Sequence, residues 1–513
     1  MKKFLACLSA VIIACALPLT LAGCSQKNDT VVLRVCSWEE YIDLGEWDED
    51  ELIDIDNPFN LEGEGVFGEN SMVDDFTEWF NSNPEYDFDI RVEYSTFGTN
   101  EDLYNRLSLG DVYDLVCPSD YMIMKLIAED RVQKFSPEFL SGEGEESYYN
   151  EYVSPYINEM FEDYGWDEYA ACYMWGTTGL VYNPEEVDEA DVSTWGILLN
   201  EDYKRQVTIK DNVRDAYFAT LGILNSELLT KGVSDEKRSE LLNATDKDTI
   251  AEAEKTLKAI KENVYSFETD AGKADMVTGK VVANYQWSGD AVYIMDEADG
   301  DENSTELWYS VPDECANLWF DGWVMLKGGI DGNQKRQMAA EAFINFLSRP
   351  DNAVRNMYYI GYTSAIAGDT VFDYMEWNYG ADEEVAEVDI GEYDLSYFFG
   401  EDTYISVDTT LFSFEGEWAD GQINRGRQLF AQYPPENVIA RSVVMLDFGD
   451  KLAEINRMWI NVRCLDIKDF SPVAVGVTCA IIGAVVISVL LYKFRYNLFI
   501  VSKPKKGYEK VEK

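Results

Sequence analysis

Aromatic and acidic side chains lie together directly after the apolar segment over residues 31–35. Residues 31–35 have the apolar character of a buried strand, and Trp38, Glu40 and Tyr41 follow at once. The face of an aromatic ring attracts a cation, and a carboxylate accepts hydrogen bonds from N–H donors. This chemistry suits an organic cation, although an aromatic strand end that only caps the core explains the same residues.

The same combination recurs at the ends of other predicted strands. Tyr121 follows a short apolar segment, Trp287 ends another, and Trp319 and Asp321 lie in a third. Ligands of open α/β sheets bind in the crevice outside the carboxyl ends of the strands. The recurrence therefore predicts one ligand site built from several strand ends.

The composition excludes several classes of function. The chain has no histidine, which removes Ser-His-Asp and Cys-His catalysis and histidine metal sites, and leaves carboxylate, Tyr, Lys or Cys chemistry for an enzyme. Its 41 basic and 96 acidic residues give a net charge of −55. Nucleic acid is therefore a poor partner and a cation a good one.

The cysteines beyond the two ends of the chain show no metal-binding or redox spacing. They are single and widely separated: Cys36, Cys117, Cys172, Cys315 and Cys464. Buried free thiols are the default interpretation, and the sequence leaves a disulfide open.

The N-terminus has the features of an export signal. Lys2 and Lys3 precede an apolar run, which ends in small residues before Cys24. This junction resembles the lipobox of bacterial lipoproteins, which implies lipidation of Cys24 and a signal peptide over residues 1–23. An ordinary signal or an uncleaved anchor remains the alternative.

The C-terminus carries a second membrane signal. Residues 471–492 contain no charged side chain and are long enough to cross a bilayer as one helix. The tail over residues 493–513 is basic, which places it in the cytoplasm by the positive-inside rule. We therefore expect the acidic body to be held at the extracytoplasmic face of the membrane.

Between these ends, predicted strands and helices alternate, which is typical of an α/β fold with a parallel sheet. Residues 171–183 are expected to cross as an extended segment into a second lobe. Residues 43–69 are acidic and glycine-rich and are expected to form an exposed insertion. Calcium binding there by Asp54, Asp56 and Glu62 is a weaker alternative, because their spacing matches no EF-hand loop.

Several short blocks stand in one order along residues 31–458, interrupted by the insertion and by residues 368–403. They are Ser37-Trp38-Glu39-Glu40-Tyr41, Pro118-Ser119-Asp120-Tyr121, Val213-Arg214-Asp215, Gln286-Trp287-Ser288-Gly289, Trp319-Phe320-Asp321 and Ile360-Gly361-Tyr362. In these blocks the chain resembles the spermidine/putrescine-binding proteins of bacterial ABC importers.

The resemblance implies an α/β, two-lobe periplasmic-binding-protein-like fold (type II) that closes over a polyamine. The implied aromatic contacts to the methylene chain are Trp38, Tyr41, Tyr121, Trp287, Trp319 and Tyr362. The implied ammonium-binding carboxylates are Glu40, Asp215 and Asp321, with Ser119 and Thr269 as minor polar contacts. The implied partners are the polyamine and the permease subunits, with no cofactor, no metal and no catalysis.

The expected lobe boundaries follow from the same resemblance. Residues 24–177 and 319–366 are assigned to the first lobe, and residues 178–318 and 367–468 to the second. One departure concerns Asn212, which stands where the relative has a pocket aspartate. This leaves the choice between spermidine and putrescine open, with Asp211, Asp290, Asp120 or Glu39 as candidates to compensate.

Three other functions remain open from the sequence. One is a receptor of the same fold for another cation or small solute. Another is a surface glycan hydrolase that uses Glu40 and Asp321 as acid and base. The third is a calcium-dependent adhesion protein built on the acidic insertions.

Overall fold

The computed structural model describes residues 30–48, 51–60, 65–144, 147–301, 304–382, 385–412 and 426–464. The expected signal peptide, the lipidation site Cys24 and the expected spanning segment 471–492 lie outside these ranges. Within the ranges, no helix combines the length and the apolar character needed to cross a bilayer.

The strands of the described ranges are numbered in chain order. They are β1 Thr30–Trp38, β2 Asp89–Phe97, β3 Leu115–Val116, β4 Val132–Gln133, β5 Ala170–Tyr182, β6 Val207–Lys210, β7 Ser266–Glu268, β8 Ala283–Trp287, β9 Trp308–Ser310, β10 Ala316–Leu326, β11 Thr363–Ser364, β12 Ile390–Asp394, β13 Tyr404–Asp408 and β14 Ser442–Val443.

The helices are numbered in the same way. They are α1 Met72–Ser82, α2 Asn100–Leu109, α3 Asp120–Ala128, α4 Pro137–Ser141, α5 Tyr148–Tyr152, α6 Pro155–Tyr164, α7 Glu189–Val192, α8 Val213–Leu229, α9 Asp235–Leu242, α10 Lys247–Asn263, α11 Ala271–Val277, α12 Ser288–Gly300, α13 Lys327–Ile330, α14 Gln334–Leu347, α15 Pro350–Ile360, α16 Asp369–Tyr379, α17 Ser396–Phe399, α18 Gly426–Gln432, α19 Glu436–Ile439 and α20 Leu452–Arg463.

Local sequence accounts for these elements. In α1, Met72, Phe76 and Phe80 recur on one face and are buried, while the Ser71 hydroxyl caps the helix by accepting from the backbone N–H of Asp74. In β5, all residues are buried, as expected for a strand covered on both faces.

One mixed sheet of twelve strands runs through the described part of the chain, with its main path in the order β2-β1-β3-β10-β5-β8-β6-β7, and β12 and β13 form a separate two-stranded sheet. The outer strands on each side are parallel to one another: β1 pairs with β2 and β3, and β6 pairs with β7 and β8. The central strands β5 and β10 are antiparallel to each other. The predicted alternation of strands and helices is therefore correct within each side, and the two sides meet at an antiparallel centre.

The buried side chains divide into two lobes. Those of residues 31–175 and 318–407 form one core, and those of residues 180–285 form another, with a smaller cluster beside it around α12. The strands β5 and β10 run from one core into the other. The predicted crossing at residues 171–183 is confirmed by β5, and β10 is a second crossing strand.

The assignment of residues 367–468 to the second lobe is wrong in part. Val371, Leu395 and Phe398 pack into the core of the first lobe, together with β13. The second lobe is completed later, by α20. The apolar side chains of this segment are spaced like those of any core helix, so the sequence alone does not tell which core they join.

The acidic segment over residues 43–69 is anchored rather than freely exposed. Within its described part, Trp47, Ile53 and Val66 are buried in the first-lobe core. Asp43 is fully buried and pairs with Arg355, which also holds Asp75 at 2.6 Å. The expectation of an exposed insertion is therefore wrong for these residues.

The calcium alternative has no geometric support in this segment. Asp54 and Asp56 are exposed, and Glu62 lies outside the described residues. In the part of the chain that the structure describes, no three acidic, cysteine or histidine side chains converge as metal ligands.

The pairing of the two crossing strands contains an irregularity. The register between β10 and β5 shifts between Asp321 and Gly322, so that Asp321 faces Met174 while Gly322 faces Cys172. A bulge of this kind bends a strand and redirects its side chains. Cys36, Cys117, Cys172 and Cys315 are buried free thiols, and Cys464 is an exposed one.

Candidate ligand-binding site

A buried carboxylate surrounded by rings lies on β10 at the first-lobe side of the cleft. The hydroxyl of Tyr41 donates to Asp321 Oδ2 at 2.7 Å. The Tyr41 ring meets the Tyr362 ring edge-on at 5.0 Å between centroids, and Trp319 meets Tyr362 at 5.7 Å. We call Tyr41, Trp319, Asp321 and Tyr362 the aromatic half of the site.

Asp321 is only 6% exposed, and its Oδ1 has no hydrogen-bond partner of good geometry among the described residues. Burial raises the pKa of Asp321 to about 6, against the opposing effect of the Ser119 and Tyr41 hydroxyls. A buried carboxylate oxygen without a donor is costly, so this atom is suited to an N–H donor from a ligand.

A second cluster lies across the cleft, where β6 and β8 end. We call Lys210, Asp215, Lys273, Trp287 and Asp290 the lysine half of the site. Lys273 Nζ is 3.0 Å from Asp290 Oδ1, and Lys210 Nζ is 3.7 Å from Asp290 Oδ2. Asp290, one of the two carboxylates of this half, is thus already paired with cations of the protein itself.

Lys210 is the fully buried last residue of β6. Its ammonium nitrogen lies 3.9 Å from the centroid of the Trp287 ring and donates to the backbone carbonyl of Thr269 at 2.9 Å. Thr269 therefore contributes its main chain here, and Trp287 already carries a cation on its face.

Asp215 lies in the first turn of α8, and the N-cap residue Asn212 holds it in place. The Asn212 side chain caps the helix by accepting from the N–H groups of Arg214 and Asp215, and its Nδ2 donates to Asp215 Oδ2 at 2.7 Å. Asp215 Oδ1 has no well-formed hydrogen bond within the described ranges. Burial raises the pKa of Asp215 to about 7, which the positive charge of Lys210 and the nearby Trp287 indole partly offset.

Tyr121 contacts the other lobe through a protein cation. The guanidinium carbon of Arg214 lies 3.8 Å from the Tyr121 ring and 3.9 Å from the Phe448 ring. Arg214 also donates to the carbonyl of Leu446 at 2.7 Å. This stack joins α3 of the first lobe to α8 of the second and holds the two lobes together.

Ser119 has the structural role of ordering the start of α3. Its Oγ accepts from Asn100 Nδ2 at 3.0 Å, and the same amide donates to the Tyr121 hydroxyl at 2.9 Å. Ser119 also bridges to Asp321 across the sheet edge, which places its hydroxyl beside that carboxylate.

Trp38 and Glu40 lie at the margin of the site. The Trp38 ring is half-buried against Phe97, at 4.6 Å between centroids. Glu40 is exposed, on a turn with φ of 52°. Burial lowers the pKa of Lys273, but Asp290 and, more weakly, Asp270 and Glu40 outweigh this effect and raise it overall.

Tyr362 connects the two halves. Its hydroxyl donates to Asp290 Oδ1 at 3.0 Å, while its ring faces Tyr41 and Trp319. Gly289 permits this arrangement, because a Cβ atom there would lie 2.3 Å from the Tyr362 ring. Any larger residue at position 289 would displace the Tyr362 ring.

Four carboxylates were candidates to compensate for Asn212 in place of an aspartate. Among the described residues, only one of the four, Asp290, lies in either half of the site. Asp211 pairs with Arg463 at 2.6 Å. Asp120 accepts from the backbone N–H of Phe320 and of its own neighbour, and burial raises its pKa to about 8. Glu39 is exposed.

The sequence interpretation missed the two lysines of the site. The available signal was a lysine at the end of the short strand Val207–Lys210, because a lysine in a buried strand needs a polar or charged partner. Lys273 on α11 gave no signal, since a lysine in a short helix is normally a surface residue.

An open depression of about 590 Å³ lies elsewhere, at the ends of α9 and α10. Its lining includes Asn243, Asp246 and Leu446. Asp246 there caps α10 by accepting from the N–H groups of the first turn. These polar groups serve the helix ends, so we place the ligand site at the strand ends instead.

Comparison with known proteins agrees with this architecture. Residues 71–368 match the model of the family described as bacterial extracellular solute-binding protein. A spermidine/putrescine-binding periplasmic protein of Salmonella typhimurium is 28% identical over 275 residues, which cover 53% of this chain and 70% of that protein. A putrescine-binding periplasmic protein of Pseudomonas aeruginosa is 24% identical over 362 residues, covering 68% and 82%.

Two solved structures share the fold. A Listeria monocytogenes protein named as a spermidine/putrescine ABC transporter is 20% identical, with a TM-score of 0.56, covering 84% of this chain and 98% of that one. A lipoprotein of Treponema pallidum is 16% identical, with a TM-score of 0.53, covering 84% and 99%. The family match spans more than half of the chain, and the two-lobe fold agrees with it: this chain belongs to the bacterial extracellular solute-binding proteins.

Proposed function

We propose that this protein is the substrate-binding component of an ABC importer and captures a polyamine, spermidine and/or putrescine, outside the membrane for delivery to the permease. The relatives named above are polyamine-binding periplasmic proteins, which supports this assignment. The proposal includes no catalytic step.

The observation that carries the proposal is Asp321 Oδ1, which has no well-formed hydrogen bond among the described residues. It belongs to a nearly buried carboxylate whose other oxygen is held by Tyr41, and it is enclosed by aromatic rings. A primary ammonium supplies both the charge and the N–H donor that this oxygen lacks, and the rings suit the methylene groups next to it.

The contacts of the site favour capture of an ammonium ligand. A charge-assisted hydrogen bond contributes roughly 1.5 to 3 kcal/mol, and a cation–π contact about 0.5 to 2 kcal/mol. Micromolar affinity needs about 8 kcal/mol net of the association cost. Two ammonium ends and a few ring contacts supply part of this free energy, and burial of the methylene chain against the rings adds to it.

The proposed binding residues come from both lobes. They are Trp38, Glu40, Tyr41, Ser119, Tyr121, Asp215, Thr269, Trp287, Trp319, Asp321 and Tyr362. A ligand that touches both lobes favours the closed arrangement by its higher affinity for that arrangement. The Arg214 stack on Tyr121 adds a contact that forms only when the lobes meet.

We also propose that the protein is anchored at the extracytoplasmic face of the bacterial cell membrane. The support comes from sequence: the small residues before Cys24 suit lipid attachment, and the uncharged residues 471–492 suit a spanning helix. Both segments would keep the binding protein beside its permease.

The glycan hydrolase is less well supported. It requires two carboxylates that face one cleft at a defined separation. Glu40 is exposed on its turn, whereas Asp321 is buried beneath Tyr41, so these two residues do not share one enclosed environment.

The test is isothermal titration of the purified full-length protein with putrescine and with spermidine at moderate salt. We expect at least one of the two to bind at micromolar level or tighter, and the heat to disappear in Asp321→Ala. Absence of binding by both ligands, in protein that unfolds cooperatively on heating, would sink the polyamine assignment.

A further inference from the structure

We propose that the Lys210 ammonium is a resident cation in the second-lobe end of the cleft, and that the protein consequently takes an amine with at most two positive charges in preference to a triamine. This inference rests on the proposed polyamine-binding function and specifies its substrate class.

The position of Lys210 is that of a bound ammonium group. Its Nζ lies on the face of Trp287 at 3.9 Å, donates to the Thr269 carbonyl at 2.9 Å and pairs with Asp290 at 3.7 Å. A ring face, a carbonyl oxygen and a carboxylate are the groups that a site offers to an ammonium ligand. Here the protein itself supplies the cation.

This lysine is built into the fold. It is fully buried as the last residue of β6, and its backbone pairs with Glu268 of β7. A surface lysine can swing into solvent when a ligand arrives, but a side chain held in the sheet interior cannot do so without opening the lobe. Displacement of Lys210 by a ligand ammonium is therefore disfavoured.

The charges that remain decide the ligand. Asp290 is shared by Lys210, Lys273 and the Tyr362 hydroxyl, so its charge is already balanced inside the protein. Asp321 and Asp215 are the other two carboxylates of the site. Among the described residues, each has one oxygen without a well-formed hydrogen bond, and neither forms an ion pair with a lysine. Two such carboxylates match two ammonium groups.

A third ammonium would have to approach Lys210. Like charges brought together in a desolvated cleft repel each other strongly, and Trp287 cannot present the same face to both. The second ammonium of a diamine also comes within reach of the Lys210 charge, but it pairs with Asp215, which offsets that repulsion. A third ammonium has no further carboxylate of this kind to offset it. The aromatic residues alone would not distinguish the two ligands.

The experiment measures dissociation constants of putrescine and spermidine for the wild type and for Lys210→Met, which removes the charge but keeps an unbranched apolar stem. We expect the wild type to bind putrescine about tenfold or more tightly than spermidine. In Lys210→Met we expect the ratio to move towards spermidine by about tenfold or more.

Lys280→Met is the matched control. Lys280 also lies over an aromatic ring, Tyr265, at 4.9 Å, and pairs with Asp275 at 2.8 Å, but in the exposed segment that follows α11. Its replacement should leave the ratio of the two constants unchanged. A shift as large as that of Lys210→Met would reveal a general charge effect and overturn the proposal.

Two further results separate the possible failures. If the wild type prefers spermidine, or if Lys210→Met leaves the ratio unchanged, the resident-cation inference is wrong while polyamine binding stands. If neither ligand binds, the proposed function is wrong, and this inference, which rests on it, is wrong as well. Should Lys210→Met not fold, the wild-type preference among 1-aminobutane, putrescine and spermidine decides the question, and a preference for spermidine contradicts it.

Discussion

The two halves of the site use the same residue types and differ in what balances their charge. In the aromatic half, Asp321 is approached by the neutral hydroxyls of Tyr41 and Ser119, and its Oδ1 has no well-formed hydrogen bond within the described ranges. In the lysine half, Asp290 is held by two lysines, one of which covers Trp287. An aromatic ring beside a carboxylate therefore locates a cation site, but neighbouring lysines decide whether that site is open to a ligand.

The largest expected effect comes from removing the charge of the aromatic half. Asp321→Asn keeps the shape and an acceptor for Tyr41 but cannot pair with an ammonium, so we expect affinity for putrescine to fall about 100-fold, or about 2.7 kcal/mol. Titration calorimetry measures this. Asp130→Asn, which alters a 90% exposed carboxylate of the same lobe, is the control. Equal losses in both variants would contradict the special role of Asp321.

The pH dependence should also follow from the aromatic half. Burial raises the pKa of Asp321 to about 6, so this carboxylate loses its charge as the pH falls through 6, while the amines stay protonated. We expect affinity to fall about tenfold between pH 8 and pH 5 from Asp321 alone. Burial raises the pKa of Asp215 to about 7, which adds to the loss in the same direction.

Dissociation constants measured at several pH values between 5 and 8 check this expectation. Asp215→Asn should remove the part of the dependence near pH 7 and retain the part near pH 6. An affinity that is flat or rises on acidification would mean that neither carboxylate pairs with the ligand in its charged form.

The smallest effect is expected at the margin. Glu40 is exposed, so water and salt screen its charge, and we expect Glu40→Gln to weaken putrescine binding less than about threefold. The same titrations measure it. A loss as large as that of Asp321→Asn would show that the loop carrying Glu40 folds over the ligand, and would extend the aromatic half to include this loop.

Much of the fold could be predicted from local pattern. The apolar spacing of residues 334–347 before Pro350 predicts a helix, and the structure has α14 there, Gln334–Leu347. Asp211 and Asn212 are both suited to cap a helix near Val213, and Asn212 caps α8. Periodicity and capping are properties of neighbouring residues, so the sequence reveals them directly. The position of the proposed site follows the predicted strand ends only in part: Trp287 ends β8, whereas Trp319 and Asp321 lie within β10.

What could not be predicted depends on distant packing. Trp47 and Ile53 stand among acidic residues without a regular period, so their burial was not visible in the sequence. The environment of Lys210 is made by Thr269, Trp287 and Asp290, far along the chain, and a lysine gives no local sign of such partners. The placement of residues 371–407 in the first lobe is decided by which core is nearer in space.

The bulge in the central strands lies next to a carboxylate of the proposed site. The register shift adjoins Asp321, on one of the two strands that cross between the lobes. A bulge bends its strand and redirects the neighbouring side chains, so it contributes to the direction in which the Asp321 carboxylate points. Removal of the bulge by a one-residue deletion would therefore be expected to displace the carboxylate even though its chemistry is unchanged.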